Sequence, residues 1–351
     1  MKALVVVTGR GLGGDASIAI NVIKTLEKYG IDCEIALDES APGILFKKKG
    51  YTWHKVSIPA AGGFAATKFS SVKAAFKMIA ATFKIRKLIK NLDVEFVLGV
   101  IGGGAIVGSV GAKLARKPAF SLICTPLDTK VCMKLNHCFL LPEVYYYQDM
   151  DNLPTNVEKA YYPINDKVSI GDRNNALEKL RLEDKFDENK KTILFSSGSS
   201  IFKGMIEGAN NFARLTNDYN LILIGLPLHD EYLDDLSEDI IYLGYINWLN
   251  DLFKFVDLAV VSDDGLSVQE AIFCEVPCVC LTKIKWGRYH NMESVFKGAA
   301  LEAQLDNLND KILEALANRD SLKEACKKYS HDINTSKENI AKKIVNELKD
   351  K

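Results

Sequence analysis

VDLAVVSDDGLSVQEAIFCEVPCVCL, Val256 to Leu281, is the stretch from which the rest of the chain becomes readable. Leu258 to Val261 predicts a short apolar strand, Ser262 to Ser267 is a small polar turn carrying Gly265, and a helix then opens with Glu270 as its early carboxylate. Such a turn suits a nucleotide. A helix N-terminus offers unpaired N–H groups and partial positive charge to phosphate, while a carboxylate in the first turns accepts both hydroxyls of a ribose. Pro277 ends the helix, and Cys278 to Leu281 reads as the next parallel strand. Taken alone, the stretch is equally an ordinary strand–loop–helix unit with a surface glutamate.

Upstream, the same grammar repeats. Thr192 to Phe195 predicts a strand, SSGSS (Ser196 to Ser200) a small-residue turn, and Lys203 to Leu215 a helix; strands at Leu221 to Ile224 and Ile240 to Leu243 and a short helix at Leu249 to Phe255 follow. In the first half, Ala3 to Val7 is a strand, TGRGLGGD (Thr8 to Asp15) a glycine-rich turn, and a helix follows with Ala19, Val22, Ile23, Leu26 and Tyr29 on one face. Gly30 stops it, and Asp32 to Leu37 is the second strand. The turn is neither GxGxxG nor a P-loop, since no Gly-Lys-Ser/Thr follows, so a dinucleotide or ATP site is disfavoured. Phe96 to Ile101 is another strand, and GGGAIVGSVGAKLARKP (Gly102 to Pro118) feeds a helix of small residues suited to close backbone packing or ligand approach. Ala119 to Cys124 is the next strand. From Thr125 to Lys190 the pattern weakens into a packed connector and a charged linker, and Lys311 to Lys351 reads as charged helices.

Repeated β–loop–α units in both halves predict two doubly wound parallel-sheet domains facing each other across a cleft. A length of 351 residues fits that division. The expected segments are residues 1–163, a first Rossmann-like domain; 164–330, a second; and 331–351, a C-terminal helix packing back on the first.

Lys plus Arg and Asp plus Glu both number 45, so no global charge points to nucleic acid. Eight cysteines lie without a CxxC pair, mostly in apolar runs, and read as buried thiols of a reducing compartment. Cys132, His137 and Cys138 lack a suitably spaced fourth partner for zinc. The opening MKALVVVTGR goes straight into a strand, with too short an apolar run for a signal peptide, and no run approaches the roughly 18 apolar residues of a membrane span. Between Gly62 and Asn91, Phe69, Val72, Phe76, Ile79, Phe83 and Leu88 recur at helical spacing, and Lys68, Lys73, Lys77, Lys84, Arg86, Lys87 and Lys90 stand with no acid among them. The apolar stripe either packs on the sheet or lies partly on an anionic membrane, and one helix can do both.

This organisation resembles the GT-B glycosyltransferases, and more narrowly the MurG-type family, which adds N-acetylglucosamine to a polyprenyl-linked muramoyl peptide. The resemblance runs from Val5 to about Leu301. It is carried by TGRGLGGD where the family has GGTGGH, by GGGAIVGSVGAKLARKP where it has GGYxSGP and a helix, by SSGSS where it has GGSxG, and by DDGLSVQEAIFCEVPCVCL where it has a GAxTxxE pattern running into GxPxxxxP. The resemblance implies that Glu270 holds the donor ribose, that Ser197, Gly198 and Ser199 face the donor phosphates, and that Gly265, Leu266 and Ser267 open onto the diphosphate. It places Ile246 at the uracil and His290 and Asn291 at the donor sugar. On the acceptor side it implies Gly13, Gly14, Gly103 and Gly104.

The departures lie in the first domain. Asp15 stands where the family has a histidine, LICT (Leu122 to Thr125) replaces its His-Glu-Gln-Asn stretch, and Ala105 replaces its tyrosine. Donor chemistry is thus expected to be retained and the acceptor to differ, as a lipid-linked saccharide or peptide of a murein- or pseudomurein-like envelope pathway. The expected reaction is inverting transfer of a sugar, of N-acetylhexosamine type, from a UDP-sugar. Asp15 deprotonates the acceptor hydroxyl, and backbone dipoles with Lys203 or Arg288 balance the leaving diphosphate without metal or other cofactor. Asp15 equally suits a helix N-cap. The DxD-like triplet Asp149-Met150-Asp151 reads as loop. The resemblance, with the basic stretch Lys68 to Lys90, implies a cytoplasmic protein peripheral on the inner face of the cell membrane. Two other readings remain: a UDP-sugar 2-epimerase of the same fold, and a non-catalytic nucleotide-sugar-binding subunit.

Overall fold

The computed structural model describes every residue except 10, 12, 59–67, 143–152, 264, 285–290 and 350–351, with backbone alone for 68–75. The chain divides into two units, Met1–Ile164 with Thr335–Lys351, and Asn165–Asn334.

In the first unit the strands β1 (Lys2–Val7), β2 (Asp32–Asp38), β3 (His54–Val56), β4 (Phe96–Val100), β5 (Ala119–Ile123), β6 (His137–Leu140) and β7 (Val157–Lys159) form one parallel sheet. Its order is β3-β2-β1-β4-β5-β6-β7. The direction of winding therefore reverses between β1 and β4, where open α/β sheets leave a crevice at the strands' carboxyl ends. The helices are α1 (Gly14–Lys28), α2 (Ile44–Lys48), α3 (Lys68–Asn91), α4 (Gly102–Ala115) and α5 (Pro126–Cys132). Expectation failed between Thr125 and Lys190. That region holds α5, β6 and β7, whose strands are too short for an apolar pattern to announce them.

Small residues let α4 lie on the sheet with backbone against backbone. A β-carbon at Gly104 would lie 2.7 Å from both Thr8 N and Val6 O of the β1 strand and its exit, and one at Gly99 would lie 2.6 Å from Ala105 Cα. Gly104→Ala is therefore expected to cost about 1–3 kcal/mol through overpacking, read from the midpoint of denaturant unfolding. Gly13→Ala, where a β-carbon meets open space, should escape that overpacking and lose only the N-cap preference of glycine over alanine, about 0.5–1 kcal/mol.

The phase of α3 differs from the expected packing stripe. Ala81, Thr82, Ile85 and Ile89 are buried, with Met78 and Leu88 packed beside them. Phe76, Ile79 and Phe83 point outward at 71%, 57% and 56% exposure. Lys84 stands 3.6 Å from Glu39 of the first unit. The side chains of Lys68, Phe69, Val72 and Lys73 are not among those described.

The second unit is again one parallel sheet, ordered β10-β9-β8-β11-β12-β13. Its strands are β8 (Lys191–Ile201), β9 (Tyr219–Pro227), β10 (Ile240–Gly244), β11 (Leu258–Ser262), β12 (Cys278–Leu281) and β13 (Ala300–Ala303). Here the winding reverses between β8 and β11. The helices are α6 (Arg173–Leu180), α7 (Lys203–Leu215), α8 (Leu249–Phe253), α9 (Gly265–Phe273), α10 (Met292–Val295) and α11 (Leu308–Ala317). The last helix, α12 (Arg319–Lys349), begins in the second unit and ends in the first. In the first unit its Ser336 hydroxyl donates to Tyr161 O (2.9 Å) and accepts from Tyr161 N (2.9 Å), and Lys337 Nζ donates to Ile164 O (3.1 Å). Among the described residues no helix is long and apolar enough to cross a membrane. The eight cysteines are free thiols, seven of them buried, and burial pushes Cys132 and Cys274 each up to about 12.

Candidate functional site

In the second unit Ser197, Gly198 and Ser199 on one side and Gly265, Leu266 and Ser267 on the other lie at the strand ends flanking the reversal, while Ile246 follows β10 and Asn291 follows β12. The SSGSS segment is not a free turn as expected. β8 runs on through Ile201, and its register against β9 slips between Ser196 and Ser200. Serine and glycine have little strand propensity, so a bulged strand looks like a loop in sequence. Gly198 takes φ 88°, which the glycine permits without strain. The Ser197 hydroxyl staples the bulge, donating to Ser200 O (2.9 Å) and accepting from Phe202 N (3.1 Å), and is buried. Ser199, in contrast, is exposed.

Opposite the bulge, α9 opens from β11. A β-carbon at Gly198 would lie 3.7 Å from Ser267 Oγ, so these two expected phosphate-facing positions adjoin. Gly265 is buried, Leu266 and Ser267 are partly exposed, and Glu270 follows in the second turn of α9, also partly exposed. Ile246, partly exposed, lies between β10 and α8. Tyr245 beside it is 66% exposed, a ring that sequence patterning passed over because a single tyrosine after a glycine carries no periodic signal.

Asn291 is the buried N-cap residue of α10. His290, Arg288 and the Asp149–Asp151 triplet lie outside the described residues. Lys203 begins α7 and stands 3.9 Å from Glu207. It also borders a cavity of about 590 Å³ with Arg214 and Tyr232 on the flank of α7, which holds none of the ribose or phosphate positions.

In the first unit, the turns after β1 and β4 adjoin. A β-carbon at Gly102 would lie 3.9 Å from Thr8 Oγ1. Gly13 is the N-cap of α1, with no side-chain capping bond, so Asp15 is not the cap but the second helical residue. Its carboxylate lies beside Gly9. A β-carbon at Gly9 would lie 3.1 Å from Asp15 Oδ2, so the glycine, at φ 81°, makes room for it. Gly13 is exposed, Gly14 partly so, and Gly103 and Gly104 are buried, Gly104 against β1 as described above.

Sequence reading missed Asp128. Its carboxylate is buried at the start of α5 and accepts from Thr125 N (2.8 Å), from Gly102 N (2.6 Å) and, more weakly, from Cys124 N (3.4 Å). Desolvation raises this carboxyl above the usual carboxylate range, and the three backbone donors pull it only part of the way back. The signal was present as Thr125-Pro126-Leu127-Asp128, a capping box with proline at the first helical position. Among the described residues no group of three or more His, Cys, Asp and Glu side chains is arranged to hold a metal ion.

Residues 5–121 match the glycosyltransferase family 28 N-terminal domain. Over 385 aligned residues the chain is 23% identical to a UDP-N-acetylglucosamine–N-acetylmuramyl-(pentapeptide) pyrophosphoryl-undecaprenol N-acetylglucosamine transferase of Sulfurihydrogenibium sp. (strain YO3AOP1), covering 98% of this chain and 99% of the relative. Among solved structures, MurG of Acinetobacter baumannii superposes with a TM-score of 0.67 at 18% identity, covering 98% of this chain and 99% of that one. Anabaena Alr3699/HepE in complex with UDP superposes with a TM-score of 0.70 at 15% identity, covering 99% and 100%. With two all-parallel sheets each carrying glycine-bearing turns at its winding reversal, this chain is a glycosyltransferase of the GT-B fold, matches the family 28 N-terminal domain over residues 5–121 and resembles MurG-type transferases along its whole length.

Proposed function

We propose that the protein is an inverting transferase that moves an N-acetylhexosamine from a UDP-sugar to a hydroxyl of a lipid-linked acceptor in envelope synthesis. The observation that carries the donor half is the meeting of Gly198 and Ser267 at the winding reversal of the second sheet, with Glu270 further along the same helix. The bulge and the α9 N-terminus suit a diphosphate, Glu270 a ribose, and the Ile246 backbone with the exposed Tyr245 ring a base. Asn291, with His290 from outside the described residues, is assigned to the donor sugar. The relative's printed name supplies N-acetylglucosamine and a polyprenyl acceptor as the first compounds to try.

On the acceptor side, Asp15 takes the hydroxyl proton as the oxygen attacks the anomeric carbon in line, and the β1–α1 turn with Gly13 and Gly14 receives the acceptor. Charge developing on the leaving diphosphate is met by N–H groups of the bulge and of α9, an arrangement that needs no metal ion. Calorimetric titration with UDP, UDP-N-acetylglucosamine, dTDP and ATP tests the reading. Selective uridine-nucleotide binding is expected, and equal or absent binding would overturn it.

Peripheral attachment to the inner face of the cell membrane belongs to the same proposal. Phe76, Ile79 and Phe83 are exposed on α3 among Lys77, Lys84 and Lys87, and aromatic rings flanked by cations favour an anionic lipid surface. Phe76→Glu with Phe83→Glu should abolish sedimentation with vesicles containing anionic phospholipid and leave the unfolding midpoint nearly unchanged, since both rings face outward. Equal sedimentation of wild type and variant would rule this face out.

A further inference from the structure

The proposed chemistry leaves Asp128 idle, yet at 0% exposure it is a wholly buried carboxylate at the strand ends of the first unit. Its two oxygens do different work. Oδ1 accepts from Thr125 N (2.8 Å) and completes the local capping box of α5. Oδ2 crosses to the neighbouring turn and accepts from Gly102 N at 2.6 Å, a bond spanning 26 positions of sequence that no capping box requires.

Gly102 is the first residue of α4, and the residue before it, Ile101, holds φ 56° and ψ 141°. A β-branched side chain there costs on the order of 1–3 kcal/mol. The conformation coincides with a Gly102 N–H aimed at Asp128. A helix start leaves four N–H groups without intrahelical partners. At α4 three of these are engaged: Ile101 donates to Leu122 O (2.9 Å), Gly102 to Asp128 Oδ2, and Gly104 to Ile101 O (3.1 Å).

We propose that Asp128 is a positioning residue that fills the anion position of the β4–α4 turn with its own carboxylate, so that the acceptor meets this turn through uncharged groups and carries its phosphate elsewhere. A second anion at the α4 start would find the N–H groups of Ile101, Gly102 and Gly104 already engaged and the Asp128 carboxyl already seated against the turn. The proposal rests on the transferase reading for what the turn receives, and on geometry alone for what fills it.

The test removes the internal anion and offers external ones to the full-length protein, with UDP present throughout to occupy the donor turn. Asp128→Ala should melt several degrees below wild type and recover in sodium formate relative to sodium chloride of equal ionic strength, whereas wild type and Asp128→Asn should not respond to formate. Titrated with inorganic phosphate, the Gly102 and Gly103 amide resonances should move in Asp128→Ala and stay fixed in wild type. An Asp128→Ala that folds only when formate is present gives the same support. Lack of recovery in formate, or movement of those amides in wild type, would overturn the proposal. Failure of wild type to bind UDP would instead sink the donor reading, and the formate result would still decide the role of Asp128.

Discussion

Asp15→Asn should lower kcat by about a hundred- to ten-thousand-fold, the usual contribution of a general base, and leave UDP affinity unchanged. The amide keeps the shape that Gly9 accommodates but offers no basic oxygen of comparable strength. UDP affinity is spared because the residues assigned to it belong to the unit Asn165–Asn334, and Asp15 to the other. The assay is UDP release from UDP-N-acetylglucosamine in the presence of polyprenyl-linked saccharides, paired with calorimetry. Full activity in Asp15→Asn would remove the base and leave the carboxylate as a support of its own loop. Isomerisation of UDP-N-acetylglucosamine without any acceptor would identify an epimerase, and binding of donor with no turnover under any condition a non-catalytic subunit.

The parallel sheets were legible because their central strands are continuous apolar runs. Ala3 to Val7 and Leu258 to Val261 are wholly buried, as strands covered on both faces must be. Short strands far from the sheet centre carry no such run: His137–Leu140 and Val157–Lys159 include His137, Glu158 and Lys159 and pass for connector. The α3 helix was legible as a helix and misleading in phase. Phe76, Ile79 and Phe83 recur at the spacing of a core face, but so do Met78, Ala81, Thr82, Ile85 and Ile89, and only packing decides which set turns inward. At the site, Glu270 and Gly198 could be placed from a turn pattern. The bond between Asp128 and Gly102 could not, because the meeting of two loops 26 positions apart depends on β4 and β5 lying side by side.

Glu270→Ala should raise the dissociation constant for UDP by about ten- to 150-fold, the range for losing hydrogen bonds to a charged group, about 1.5–3 kcal/mol. Glu270 follows Ser267 by less than one helical turn, and Ser267 faces Gly198, so a diphosphate held at that junction leaves the ribose alongside the carboxylate. Glu270→Gln keeps an acceptor oxygen of the same reach and should lose less. A nucleotide with one hydroxyl removed separates ribose recognition from a general loss of structure. Wild type should bind 2′-deoxy-UDP more weakly than UDP, and Glu270→Ala should bind the two alike, because the hydroxyl no longer has its partner. If both proteins show the same preference for UDP, Glu270 does not touch the ribose. The carboxylate would then act only on the structure of α9, and the donor assignment would have to be rebuilt on the phosphate positions alone.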